Sequence, residues 1–547
     1  MAHMLEIMLR TTELQTPATA DIHRRYWGAV VENQIVTADF TPRNLKSELH
    51  PALAQLAAAV CQCEINRSSE DPADEPQVPD QLMLYIDRLL SRQESAILLV
   101  IPPLVRPLFE LLRLTETPLG SLGARLLSEQ VAVDGTKATL GGAGRAIALG
   151  ALTSRYGAGL EGESTALTVS TLGTLTIARA VDWRVIAARA LELALQDLGD
   201  GLATAPEDVV SKLVSAIHTG LNDYTVDERG DIGSLVRLQT LDCASHFLQL
   251  WRGMPTEQAH DGSGPPQRRW ISESQLLLAD ILRLSLEKLD RVRSKAALCR
   301  RDQFTEMSIP DFAELPHGIV YIALALEPLC QPSSPPWAIR SLVEGAISVA
   351  GGGAETLLQL SRQELVGLLS QADPEYLHTF LTTYLAILRD LISTPSQDTT
   401  LATTSPHLIL PALNLLAYLL STSLPSLLLT HASPYPWRLL LSTIQHLHHK
   451  SSDIPRLLVC TDIYLHLAAI PAVRVEVLKK LLSMLKTNPF PRVRVAVAEA
   501  LWVIGRDEKE VKGMGKVDWT GKGSDGKGRR EEVLGDIGNW VEGMSTT

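Results

Sequence analysis

Aromatic residues make up only 5% of this 547-residue chain, and alternating runs rich in Val, Ile and Thr are scarce. Sheets pack on β-branched and aromatic side chains, so a mainly β architecture is excluded. Cysteine is sparse as well. Cys61, Cys63, Cys243, Cys299, Cys330 and Cys460 are scattered along the chain, and the first residues do not read as a signal peptide. A disulfide framework is therefore excluded, and a reducing, cytoplasmic compartment is expected. Positive charge is in deficit too. Lys and Arg number 50 against 62 Asp and Glu, a formal charge of −12 spread without a basic face. That balance excludes the phosphate-driven affinity of nucleic-acid binders and leaves proteins as partners. The run closest to a membrane span, Leu408 to Thr430, is interrupted by Pro411, Asn414 and Pro425 and dotted with Ser and Thr. It reads as a buried helix pair, and no span is expected.

Catalytic and ligand signatures are equally thin. Gly521-Lys-Gly-Ser-Asp-Gly526 spells a dinucleotide-type glycine pattern. However, Asp518-Trp-Thr precedes it where a buried strand is required, and Gly528 stands where a phosphate-binding loop needs Ser or Thr for magnesium. Cys61 and Cys63 have no second Cys pair, and Cys-x-Cys lacks the gap that brings two thiolates onto one zinc ion. His446, His448 and His449 read as an exposed helix end. With no Gly-x-Ser-x-Gly elbow, His-Glu-x-x-His pair or Cys/His nucleophile context, the chain is expected to be no enzyme and to use no cofactor or metal.

What is abundant is Leu and Ala in helical spacing, over a length too great for one compact core. Several helices open on one device, a short aliphatic residue followed by Arg and then small and apolar residues. Val236-Arg237, Val292-Arg293, Val473-Arg474 and Val493-Arg494 fit it, and Trp183-Arg184 is a variant. This resembles the second helix of a HEAT repeat, in which small residues let neighbouring helices approach and the Arg reaches the adjoining repeat. In such repeats a carboxylate commonly sits six residues before the Arg. Asp231 and Glu287 supply it, Asn488 offers an amide, and Ala178 and Ala468 depart from the pattern. The predicted fold is all-α, a HEAT/armadillo-type α-solenoid.

Composition divides the chain into HEAT-like repeats over 1–252, a loop at 253–270 and a second helical repeat region over 271–505. A Ser/Thr-rich loop interrupts that second region at 393–406. Arg506 to Arg530 holds eight Lys or Arg, five Asp or Glu and six glycines. It reads as a flexible loop projecting into solvent, ahead of a terminal helix and tail over 531–547, with the helix predicted from Glu531 to Val541. Met1 leads straight into helical, apolar material such as Leu5 to Arg10. The repeat array is therefore expected to begin mid-stride.

The densest functional signal is Asn222-Asp-Tyr-Thr-Val-Asp-Glu-Arg-Gly-Asp-Ile-Gly-Ser-Leu-Val-Arg237, a polar turn running into a Val-Arg helix. Asp231 is placed to cap the helix from Ile232. With Gly144-Arg-Ala-Ile-Ala-Leu-Gly-Ala-Leu152 and Pro489-Phe-Pro-Arg-Val-Arg-Val-Ala-Val-Ala-Glu-Ala-Leu501, in that order, this segment resembles the tubulin-folding cofactor D family, roughly its C-terminal half. The resemblance implies a chaperone that captures β-tubulin, joins cofactor E carrying α-tubulin and, with cofactor C, assembles the heterodimer and promotes GTP hydrolysis by tubulin. An Arf-like small GTPase is a further implied partner, and the implied location is cytoplasmic and microtubule-associated. The alternative is a general HEAT scaffold of the transport-receptor or phosphatase-adaptor type, which would share the Val-Arg helices but not the charged turn. Within that turn, Asp231 and Arg237 read as a structural cap and ladder, as do Arg184, Arg293 and Arg494 in their own repeats. Tyr224, Asp227, Glu228 and Arg229 are the candidates for partner contact.

Overall fold

The computed structural model describes residues 39–45, 48–70, 80–114, 142–154, 163–254, 270–303, 319–392, 406–429, 431, 433–520 and 527–546. The expectations for Leu5 to Arg10, for the glycine run 521–526 and for most of the loops at 253–270 and 393–406 lie outside them. The described chain is almost wholly helical. Its one sheet is a two-stranded antiparallel hairpin, β1 (Val226–Asp227) with β2 (Gly230–Asp231).

The chain divides into two compact units, residues 1–278 and 279–547. The first holds α1 (Pro42–Leu45), α2 (Leu49–Glu70), α3 (Asp80–Leu90), α4 (Ser95–Leu114), α5 (Ala143–Ala151), α6 (Glu163–Leu175), α7 (Val181–Leu198), α8 (Glu207–Leu221) and α9 (Gly233–Gly253). Helices α4, α5, α7 and α9 pack one on the next in a row, while α6 packs on α8 beside them. This two-row stack is the α-solenoid arrangement read from the sequence. The small residues do what the Gly144 to Leu152 segment suggests. A methyl group at Gly150 would stand 2.1 Å from the Ala190 carbonyl oxygen, so only glycine lets α5 approach α7 this closely. Cys243 Sγ, donating to Ala188 O at 2.8 Å, ties α9 to α7.

Helix α10 (Ile271–Leu284) carries the chain across the division. The second unit continues with α11 (Asp290–Gln303), α12 (Ile319–Leu326), α13 (Pro336–Gly351), α14 (Glu355–Gln371), α15 (Pro374–Asp390), α16 (Ile409–Ser421) and α17 (Leu424–Leu429). It ends with α18 (Trp437–Leu447), α19 (Ile454–Leu467), α20 (Arg474–Thr487), α21 (Pro491–Ile504) and α22 (Lys527–Thr546). Here α13, α16, α19 and α21 form a row, and α20 packs on both α21 and α22. The apolar run from Leu408 is broken at Thr422 and Ser423 into α16 and α17, both packed into the core of this unit. Among the described residues, α4 is the one helix long and apolar enough to cross a membrane. Pro102, Pro103 and Pro107 lie within it, and more than half of its most apolar stretch is buried.

Three expectations need correction. The stretch after α21 does not project into solvent throughout, because Val511, Met514 and Trp519 are buried. Four apolar residues spaced among its charges, these three and Val517, give it a face that packs, which overall glycine and lysine content conceals. The last helix also starts earlier and ends later than predicted, at Lys527 and Thr546. The histidine group is not simply an exposed end either. His446 and His449 are exposed, but His448 is buried with Nε2 2.6 Å from the Tyr464 hydroxyl.

Candidate functional site

The turn between α8 and α9 is held by three arginine-centred contacts. The Arg237 side chain, 0% exposed, puts Nη2 2.7 Å from Asp231 Oδ2 and donates from Nη1 to the Asp223 carbonyl. Its guanidinium lies 4.1 Å from the centre of the Tyr224 ring, a cation–π contact that covers the face of the cation. The N-cap position falls on Ile232 and not on Asp231, but Asp231 still serves the start of the helix with its side chain. Helix α9 begins at Gly233, and Asp231 Oδ1 accepts the Ser234 N–H at 3.1 Å, satisfying an amide that no helical carbonyl can reach. Gly233 is required here, since a methyl group on it would lie 2.4 Å from Asp223 O.

From the preceding repeat, Arg184 reaches over. Its Nε stands 2.8 Å from Asp223 Oδ2, its Nη2 donates to Thr225 Oγ1 at 2.9 Å and its Nη1 donates to Ala178 O at 3.1 Å. Asp223 therefore anchors the turn. Its carboxylate also accepts the Thr225 N–H at 3.1 Å and the Thr225 hydroxyl at 2.7 Å. Sequence reading did not single out Asp223 as a ladder residue, because its partner Arg184 is remote along the chain.

Beyond this framework the hairpin tip stands in solvent. Arg229 donates from its backbone N–H to Asp227 Oδ1 at 2.8 Å, and from Nε and Nη2 to Asp227 Oδ2 at 3.0 and 2.8 Å. The Arg229 side chain holds the Asp227 carboxyl below the usual carboxylate range, and Asp227 in turn raises Arg229. Gly230, at φ 102°, closes the turn. Val226, Asp227, Glu228 and Arg229 are exposed, while Tyr224 is half-buried on Arg237. The structure thus divides the four candidate contact residues. Tyr224 belongs to the framework, and Asp227, Glu228 and Arg229 form the tip together with Val226, which sequence reading passed over.

The same device recurs with different acceptors. Arg293 Nη1 donates to Glu287 O at 2.8 Å and Nη2 pairs with Asp290. Arg494 Nη1 donates to Asn488 O and Pro489 O, both at 3.0 Å, while Nε and Nη2 reach Trp519 O and Thr520 O at 3.0 and 2.9 Å. In Arg184, Arg293 and Arg494 the group six residues earlier contributes its carbonyl. Ala178 consequently supplies the same carbonyl acceptor as Glu287. Arg145 of α5 is a further buried member, with Nη2 3.2 Å from Asp87 Oδ1 on α3. Among the described residues no group of three His, Cys, Asp or Glu is gathered to hold a metal ion.

Residues 275–456 match the family described as tubulin folding cofactor D C terminal, and the charged turn lies outside the matched residues. No curated protein matches the chain. Among solved structures, UNC-45 from Drosophila melanogaster is 12% identical, with 100% of this chain and 78% of that one covered and a TM-score of 0.29. A structure described as Kap95p binding RanGDP is 14% identical over 98% and 75% of the two chains, with a TM-score of 0.27. An engineered protein is 15% identical over 87% and 98%, with a TM-score of 0.25.

Proposed function

We propose that this chain acts as a cofactor D-like tubulin chaperone that works by binding rather than by catalysis, because residues 275–456 match the tubulin folding cofactor D C-terminal family. In this reading it captures β-tubulin and, with cofactors E and C and an Arf-like small GTPase, takes part in assembling the α/β heterodimer. Any GTP hydrolysis it promotes takes place on tubulin, and the chain works in the cytoplasm at the microtubule cytoskeleton. The family match is the observation that carries the reading. A stack of helical repeats supports it physically, because such a stack offers a large client many small contacts. The hairpin tip supports it locally, since Glu228 and the Asp227–Arg229 pair bear charges that the packing of α8 and α9 does not use.

The test is titration of purified β-tubulin, and then of each proposed cofactor, onto the full chain, followed by size-exclusion chromatography. Co-elution with β-tubulin is the expected result. No complex with β-tubulin or with any cofactor at micromolar concentrations would sink the chaperone reading and favour a general helical-repeat adaptor.

A further inference from the structure

We propose that the turn joining α6 to α7 and the hairpin joining α8 to α9 form one contact surface. Its anchors are Ile177 and Val226, and its occupant is a folded protein with an apolar recess and a basic rim. This assignment deepens the chaperone reading and rests on it.

Val226 at 70% and Ile177 at 68% are the two most exposed large hydrophobic side chains among the described residues. They are not scattered. Arg184 donates from Nη1 to the carbonyl of Ala178, next to Ile177, and from Nη2 to the hydroxyl of Thr225, next to Val226. One guanidinium thereby fixes the two turns side by side, with Asp223 on its Nε completing the clasp. The hairpin is held further by its strand pairing and by the Asp227–Arg229 bonds. Both anchors are β-branched, with little rotamer freedom to lose on binding. A surface ordered before its partner arrives avoids much of the entropic cost of association. An isolated exposed aliphatic residue requires no explanation, but two on adjacent, rigidly joined turns do.

Charge decides the occupant. Arg179 and Arg229 stand against Asp182, Asp227 and Glu228, two basic and three acidic groups for a net −1. Arg229 is committed to Asp227 and also feels Asp182, so the rim presents net negative charge around the two anchors. A second copy of the chain, itself at −12, is disfavoured on the same ground.

The experiment uses the full chain with Ile177→Ser and Val226→Ser together, and Val226→Asp and Val226→Lys separately. The probes are purified β-tubulin, cofactor E, cofactor C and an Arf-like GTPase, each measured by calorimetry at low and physiological salt. For at least one probe the double variant should lose about a hundredfold or more in affinity, as hot-spot anchors do. Its melting temperature should stay unchanged. Val226→Lys should weaken binding more than Val226→Asp, and salt should weaken the wild-type complex. Wild-type affinity of the double variant for every probe that binds overturns the proposal and leaves the chaperone reading standing. Stronger damage from Asp than from Lys overturns the assigned charge of the partner. A wild-type dimer in sedimentation velocity that the double variant abolishes overturns it in favour of self-association. If the unaltered chain binds no probe, the chaperone reading falls and takes this assignment with it.

Discussion

The turns that precede Arg237 and Arg494 solve one problem with different chemistry. Each must satisfy a buried guanidinium at the start of a helix. Around Arg494 all four acceptors are backbone carbonyls, of Asn488, Pro489, Trp519 and Thr520. Around Arg237 they are the Asp223 carbonyl and the Asp231 carboxylate, with the Tyr224 ring over the cation. The Arg494 turn demonstrates that the guanidinium itself can be satisfied without an acidic side chain, although Asp518 orders the Trp519–Thr520 segment by accepting from the Thr520 N–H and hydroxyl. Acidic groups in the Arg237 turn therefore divide into Asp231, whose carboxylate takes a carbonyl's place on Arg237, Asp223, whose carboxylate holds Arg184 and Thr225, and those the framework does not use. Glu228 and the Asp227–Arg229 pair are left over, and surplus charge on an ordered turn is what a contact surface requires.

The sharpest way to break this comparison is to truncate the residue six places before each Arg. Asp231→Ala removes the carboxylate from a cation with no exposure, together with the cap on Ser234. It should cost about 3 kcal/mol in urea or thermal unfolding, because it strands a buried charge. Asn488→Ala leaves its carbonyl on Arg494 and loses only the side-chain bond from the Phe490 N–H, so the cost should be about 1 kcal/mol or less. Equal losses would mean that the two turns are built alike.

The second prediction concerns acid. Carbonyls have no proton to gain, so acid weakening of the second unit should trace to His448 rather than to the Arg494 turn. Burial, with Lys480, Arg456 and His449 nearby, pushes the His448 imidazole down to about 4. The unfolded imidazole takes up its proton near pH 6.5, whereas the folded one resists until about 4. The stabilisation is thus fully present above pH 6.5 and is lost as pH falls toward 4, on the order of 2–3 kcal/mol. Hydrogen exchange along α18 and α19 should rise through that window in the wild type and lose most of its slope in His448→Asn, the half-buried His466 of α19, also lowered by burial, keeping the rest. An unchanged slope in the variant would place the acid response elsewhere.

How far the sequence carried these conclusions differs between fold and site. Leu and Ala in helical spacing and the recurring Val-Arg openings made the α-solenoid legible, because that pattern is local. The ladder was half legible. Spacing placed Arg184, Arg237, Arg293 and Arg494, and Asp231 as the acceptor of Arg237, but not the carbonyl acceptors of the other three, since a backbone carbonyl is the same behind Ala178 as behind Glu287. Asp223 and Asp87 escaped because their partners, Arg184 and Arg145, lie on other helices. Tyr224 was read as a contact residue because an aromatic in a polar turn has no sequence mark to separate packing on a cation from exposure. The stretch 506–520 was misread for the opposite reason, its average composition hiding a few well-spaced apolar side chains.

Gly233 offers a smaller effect that tests whether the Arg237 turn is as tight as it looks. In Gly233→Ala the new methyl must push back the Asp223 carbonyl, the acceptor of Arg237, and the cost should be about 1–3 kcal/mol. If unfolding shows no loss, the turn has slack and the commitment of Asp223 to the ladder is overstated.

The smallest effect on stability, and the most telling for the comparison, belongs to Asp227→Asn. This residue and Arg229 lie outside the framework, so the melting temperature should not move. The change removes the charge that holds Arg229, however, and the hairpin tip should loosen, seen as faster exchange of the Arg229 amide that Asp227 Oδ1 now accepts. Acid should mimic this only at pH values below the usual carboxylate range, because Arg229 depresses the Asp227 carboxyl. Loosening of the tip without loss of fold would establish that the surplus charges order a surface rather than a core. A drop in melting temperature comparable to that of Asp231→Ala would return Asp227 to the framework and erase the distinction between the two turns.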